Sequence, residues 1–96
     1  MSHKEFSKIL REMSVFLDME EVAFKPQAYE RAAAGLEEED IDNDDLRARY
    51  KKGGLKALQE IPGVGQGIAE HMEEFLKRGT FKEYERLRKK YPVDIS

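Results

Sequence analysis

Residues 61–65 read Ile-Pro-Gly-Val-Gly, and the two glycines one position apart are where this chain is best equipped to meet a ligand. Glycine lets the backbone turn tightly and approach a bound group with no Cβ in the way. A helix that follows such a turn points its first, unpaired amides outward, where a phosphate oxygen can accept from them. Val64 is placed to reach back between the flanking helices and hold the turn shut. Contacts of this kind go to the nucleic-acid backbone and carry no base sequence. A lone Gly-x-Gly would be no more than a glycine-rich connection. Here a short apolar helix precedes it, Ile68-Ala69 follows it and a long amphipathic helix runs behind, which favours DNA-phosphate binding over a packing hairpin.

His71 is a second place for chemistry, because imidazole titrates near neutral pH and binds phosphate when protonated. It stands beside Glu70, Glu73 and Glu74, with no second histidine or cysteine placed to share a metal. The sequence therefore favours a surface residue on a charged helix, and His3 falls at the terminus. Lys77 and Arg78 lie at the end of the hairpin's second helix and are expected to add nonspecific phosphate contacts. Arg86, Arg88, Lys89 and Lys90 are equally well explained as cations suited to a helix's last turn. The acidic run 37–45 reads as a solvated loop leading into the start of a helix, and it lacks the spacing and glycine of an EF-hand. The chain has no cysteine, which excludes disulfides, thiolate zinc sites and cysteine nucleophiles.

The elements that must position these residues read as helices. Phe6, Ile9, Leu10, Met13, Phe16 and Leu17 recur at three- and four-residue spacing, which predicts a first helix over 3–20. Ser2 and Glu5 have the spacing of a capping box at its start. Pro26 suits the first turn of a second helix, 26–38, whose Ala28, Ala32 and Ala33 allow close packing around Tyr29 and Leu36. A third helix is expected at 44–51, ended by Gly53-Gly54, and Leu55, Leu58 and Ile61 give a short fourth. The fifth runs from Gln66 to Arg78 and stops at Gly79. Thr80 is the expected cap of a sixth, which buries Phe81, Tyr84 and Leu87 and ends before Pro92. The fold expected is all-α: one domain over 1–96, a compact bundle of five or six short helices containing a helix-hairpin-helix.

Composition bounds the rest. Ninety-six residues make one modest core, and 39% charged residues suit a soluble helical surface. The net charge of −3 conceals a split: residues 1–50 carry 7 Lys+Arg against 13 Asp+Glu, whereas 51–96 carry 10 against 7. An acidic chain with a basic half can still present a positive face to phosphate. No apolar run approaches the roughly 20 residues that cross a bilayer, and the first residues lack a signal-peptide core, so no membrane and a cytoplasmic setting are expected.

Ile61-Pro62-Gly63-Val64-Gly65-Gln66-Gly67-Ile68-Ala69-Glu70, with Glu73-Glu74-Phe75-Leu76 and Gly79 behind it, closely resembles the hairpin of the N-terminal domain of family X DNA polymerases of the polymerase beta type. Phe24-Lys25-Pro26-Gln27-Ala28-Tyr29-Glu30-Arg31-Ala32-Ala33 resembles the second-helix signature of the same domain, and Gly53-Gly54-Leu55-Lys56 agrees with its lead-in. The resemblance covers nearly the whole chain. It implies binding at the 5′ side of gapped DNA in base excision repair and, in lyase members, removal of a 5′-deoxyribose phosphate through a lysine Schiff base.

Position by position, the resemblance implies hairpin contacts to DNA at Gly63, Val64, Gly65, Gln66 and Gly67. It puts Lys25 and Tyr29 at a 5′-phosphate; His71, Lys77 and Arg78 are candidate DNA contacts from their own charge and position. It also implies that the carbonyls of Gln59, Ile61 and Val64 hold K+ or Na+ when DNA is bound. The departures bear on chemistry. His71 stands where the family has its Schiff-base lysine, and imidazole cannot form that iminium. Gln66 and Gly67 stand at positions that are often basic, and Phe24 replaces another phosphate-pocket residue. Lys25 is the one well-placed substitute amine for a lyase. With no room for a polymerase palm, the chain alone is not expected to synthesise DNA. The expectation is a monomeric, non-sequence-specific DNA-binding domain, either excised from a repair polymerase or a small relative of one. The alternatives are a lyase acting through Lys25 and an adaptor that meets a protein on the acidic 37–45 face.

Overall fold

A computed structural model describes residues 5–23 and 25–91. Ser2, His3, Phe24 and Pro92 lie outside the described residues. Five helices follow one another: α1 Glu5–Met19, α2 Lys25–Glu38, α3 Asn43–Gln59, α4 Gln66–Arg78 and α5 Lys82–Lys90. No strand occurs among the described residues. The apolar stripe of α1 is buried throughout, from Phe6 to Leu17. It packs along α2, whose buried face is built from Tyr29, Ala32, Ala33, Gly35 and Leu36. The small residues let the two helices approach closely. α4 packs on α3, and α5 returns to α1. Phe6 ties these layers together, with ring centroids 4.9 Å from Phe75 on α4 and 5.9 Å from Phe81.

The ends of α1 and α2 are closed by the same device. Val22 N–H donates to the Leu17 carbonyl and Glu21 N–H to that of Asp18, with Glu21 left-handed at φ 58°. Ile41 N–H donates to the Leu36 carbonyl and Asp40 N–H to that of Glu37, with Asp40 at φ 54°. These paired bonds satisfy carbonyls that a helix end leaves orphaned, and they turn the next apolar residue inward. Ile41 is thereby buried at 4% exposure in the middle of the acidic run. α2 ends at Glu38 and α3 begins at Asn43, close to the bounds expected, and what the sequence did not show is that Ile41 in the run between them belongs to the core. Asp42 and Asp45 form a reciprocal capping box at that start.

The expected break between a third and a fourth helix falls inside α3 as a kink: Gly54 is non-helical there, at φ 65° and ψ −151°, and two helical stretches meet across it. One further expectation is revised. Thr80 does not cap the last helix. Phe81 occupies that position with no side-chain cap of its own, and Glu74 of α4 accepts the Lys82 N–H at 2.9 Å instead.

The turn between α3 and α4 is seated on α2. Ile61 and Val64 are buried, and Val64 N–H closes the turn onto the Ile61 carbonyl at 3.0 Å. A methyl group on Gly35 would overlap the Pro62 carbonyl. One on Gly63, itself at φ 85°, would meet the Arg31 carbonyl oxygen at 2.7 Å. We expect Gly35→Ala to lower the free energy of unfolding by about 3 kcal/mol, as overpacking against rigid backbone does. Gly79→Ala, left-handed at φ 79° but with open space around it, should lose only about 1 kcal/mol. Urea denaturation compares the two, and equal losses would mean that α2 does not seat the hairpin.

Candidate nucleic-acid interface

The site begins where α4 begins. Gly65 is its N-cap in extended conformation, φ −93° and ψ −174°, and has no side chain to offer the helix. The first α4 bond runs from Ala69 N–H to the Gly65 carbonyl at 2.9 Å, which leaves the amides of Gln66, Gly67 and Ile68 without an intrahelical acceptor. The helix dipole adds partial positive charge at the same place. The three hairpin glycines differ in what requires them. Gly63 is demanded by the fold, through its left-handed φ and the Arg31 carbonyl. Gly65 and Gly67 have ordinary φ, are exposed, and nothing lies within 4 Å of a Cβ built on either. A glycine inside a helix costs about 0.5–1 kcal/mol relative to alanine, and the fold recovers nothing for it at Gly67. The backbone there is open to the approach of something outside the chain.

The second group of expected residues is brought together as a cluster. Lys25 is exposed at the start of α2, and Tyr29, one turn on, is buried with its hydroxyl pushed up to about 12 by that burial and then by Glu83. His71 does not lie on the surface as expected. It is half-buried, stacked on Phe81 at 4.5 Å and 19°, and 6.2 Å from the Tyr29 ring. Burial pushes its pKa down, against the pull of Glu83, Glu74 and Glu70 and with the help of Lys25. The sequence reading missed Glu83, which faces both His71 and Tyr29. Arg86 donates to it at 2.9 and 3.3 Å and holds its carboxyl below the usual range, so it is ionised at neutral pH. Its separation from His71 by twelve residues and one turn of chain gave no local signal.

The cations singled out from the sequence are mostly engaged within the chain. Arg78 bonds to Glu74 and, at 3.1 Å, to Glu85. Lys77 lies 3.8 Å from Glu73 and over the Tyr50 ring. Arg86 and Lys90 both hold Glu20, at 3.2 and 2.9 Å, and tie α5 back to the end of α1. These exposed pairs are weak and can open, yet each cation has a carboxylate to leave before it meets a phosphate. No group of three or more His, Cys, Asp or Glu that could hold a metal ion occurs among the described residues. No helix among them is long and apolar enough to cross a membrane.

Residues 1–81 match the helix-hairpin-helix domain family. The chain belongs to that family. No curated protein and no solved structure matches it. A helix-hairpin-helix domain speaks for nucleic-acid binding in general, and the turn over Pro62–Gly65 between α3 and α4 is the hairpin of this one. The match ends at Phe81, so Glu83 and Arg86 on α5 lie beyond it.

The stacked imidazole makes a pH prediction. A histidine with a lowered folded pKa is favoured neutral in the native state, so its contribution to stability is complete above the unfolded value near 6.5. That contribution is lost as pH falls from there through the lower folded value. Urea midpoints should therefore decline below about pH 6.5, well before the carboxylates titrate. His71→Gln should flatten that decline, and an unchanged pH profile would show that the ring is not desolvated.

Proposed function

We propose that this domain binds DNA without sequence specificity, through phosphate contacts at gaps or 5′ ends, as the N-terminal domain or a small relative of a family X repair polymerase. The observation that carries the reading is the opening of α4: three unpaired amides flanked by Gly65 and Gly67, neither of which the fold needs. A phosphate oxygen accepts from such amides, and the two missing side chains let the DNA backbone come close. The resemblance of the hairpin and of the 24–33 segment to the family X domain supports the gap and 5′-end preference.

Carbonyls at Gln59, Ile61 and Val64 are all neutral donors, with no carboxylate among them. That set suits a monovalent cation such as K+ or Na+ better than Ca2+ or Mg2+, which favour carboxylate oxygen. Such an ion would supply positive charge between the hairpin and a phosphate. Gln59, Ile61 and Val64 would hold it, and Gln66 and Gly67 would offer their amides beside it.

The test separates binding from folding. Gly65→Asn puts a preferred, uncharged cap residue at the N-cap and should leave stability unchanged or raise it by a few tenths of a kcal/mol. Its amide side chain would satisfy the helix's own N–H groups and fill the open space. Gly67→Ala should likewise gain about 0.5 kcal/mol. Fluorescence anisotropy against a gapped duplex with a 5′-phosphate should nevertheless show binding weakened by about tenfold or more in each variant, the scale of a lost hydrogen bond to a charged group. Variants that bind like the parent chain would remove the hairpin from the interface.

A further inference from the structure

We infer that the groove along α3 is a second phosphate-binding surface, which takes the DNA strand as it leaves the hairpin; this rests on the DNA reading of the hairpin above. The groove has a volume of about 500 Å³ and is lined by Arg49, Lys52, Gly53, Lys56, Ala57 and Glu60. Arg49, Lys52 and Gly53 come from the stretch of α3 before the Gly54 kink, and Lys56, Ala57 and the C-cap Glu60 from the stretch after it, so the groove is built across the kink. Gly53 contributes no side chain, and a methyl group there would meet the Ala57 methyl at 2.8 Å.

Three cations face this groove against one carboxylate, and they are gathered in one concavity, whereas the unpaired Lys8, Lys82 and Lys89 are spread over α1 and α5. Arg49, Lys52 and Lys56 make no ion pair, hydrogen bond or aromatic contact with another described residue. Lys77, Arg78, Arg86 and Lys90 all have carboxylate partners. In a chain of net charge −3, three uncompensated cations gathered in one concavity are what an anionic polymer meets first. The hairpin amides are themselves neutral, and the exposed side chains nearest them in sequence include Glu60 and Glu70, so they hold a phosphate without attracting one from a distance.

The placement suits one continuous strand. Glu60, at the near end of the groove, is five residues before Gly65, so the chain between them spans at most about 18 Å. At about 3.4 Å of axis per nucleotide, a run of roughly five nucleotides or fewer covers that distance. Arg49, Lys52 and Lys56 then meet the phosphates that follow.

Counterion release gives the test. Each phosphate neutralised by Lys or Arg contributes about 0.7 to 0.9 to the slope of log affinity against log salt, whereas contacts to neutral amides contribute little. The full chain is titrated with gapped duplex between about 50 and 200 mM KCl, the range over which such slopes are read. Three variants run beside it: a triple variant Arg49→Gln, Lys52→Gln, Lys56→Gln; the neutral hairpin variant Gly65→Asn; and a charge control, Lys8→Gln, Lys82→Gln, Lys89→Gln. Thermal melts confirm that each is folded. The groove variant should lose about 2 from the slope and bind more than tenfold more weakly at the lowest salt. Gly65→Asn should weaken binding while keeping the slope, and the charge control should keep it too. A groove variant with the parent slope, or a control that loses as much, overturns the proposal. If the groove variant loses binding but Gly65→Asn does not, the hairpin reading falls and the groove stands. A parent chain that fails to bind at low salt overturns both.

Discussion

The Pro62 carbonyl lies directly against Gly35, and Gly63 lies against the Arg31 carbonyl, so the hairpin rests on the backbone of α2 with no side chain between. Ile61 and Val64 anchor the same turn in the core from its own side. With the turn fixed at both faces, the first residues of α4 have one orientation available, and their unpaired amides are fixed before any ligand arrives. Interactions held ready in this way lose little on binding, because the ordering has already been done by folding. The apolar stripe of α1 matters to the site indirectly: it holds α2, and α2 holds the turn.

Electrostatics divide the surface into cations the chain has used and cations it has not. Glu20 gathers Arg86 and Lys90, and those two hydrogen bonds hold its carboxyl down to about 2. Glu74 and Glu85 take Arg78. Such bonds locate α5 and the end of α4, which lie outside the hairpin. The excess positive charge of the second half of the sequence therefore does not mark its C-terminal helix as the DNA side. Of the cations left uncommitted, three are gathered in one groove along α3, before the hairpin. A count of charges could find the basic half; only the pairing says which part of it is free.

Much of the fold could be read from spacing alone, since the stripes of α1 and α4 are regular and the hairpin glycines are a local signal. The parts that could not be read depend on distant partners or on unusual backbone. Glu21 and Asp40 close their helices in left-handed conformations that glycine usually supplies, so the way these helices close was not legible, although their ends near 20 and 38 were. Ile41 looked like a stray apolar residue in an acidic run, yet that closure turns it into the core. Phe81 caps α5 because Glu74, seven residues earlier and on another helix, accepts the amide that a local Thr would have taken. Within the site, the value of Gly63 was legible as glycine. That Gly65 and Gly67 are free of the fold was not, because it depends on what surrounds them.

The ends of α4 and its middle have different characters, and the difference bears on what the domain does with DNA. Its N-terminus offers unpaired donors to an anion. One and a half turns on, His71 is desolvated and stacked on Phe81, beside an ionised Glu83 fixed by Arg86. A phosphate entering that cluster would meet Lys25 but also a carboxylate whose charge Arg86 stabilises, and an imidazole that burial keeps neutral. Neutral imidazole gives a phosphate no charge, and it forms no iminium with an aldehyde carbon. On the proposed reading, then, the two halves of α4 divide their work. The first turn meets the backbone of DNA, while His71 serves the packing of α2, α4 and α5 that holds this turn in place. On that reading the imidazole at His71 suits a platform for binding better than a Schiff-base centre.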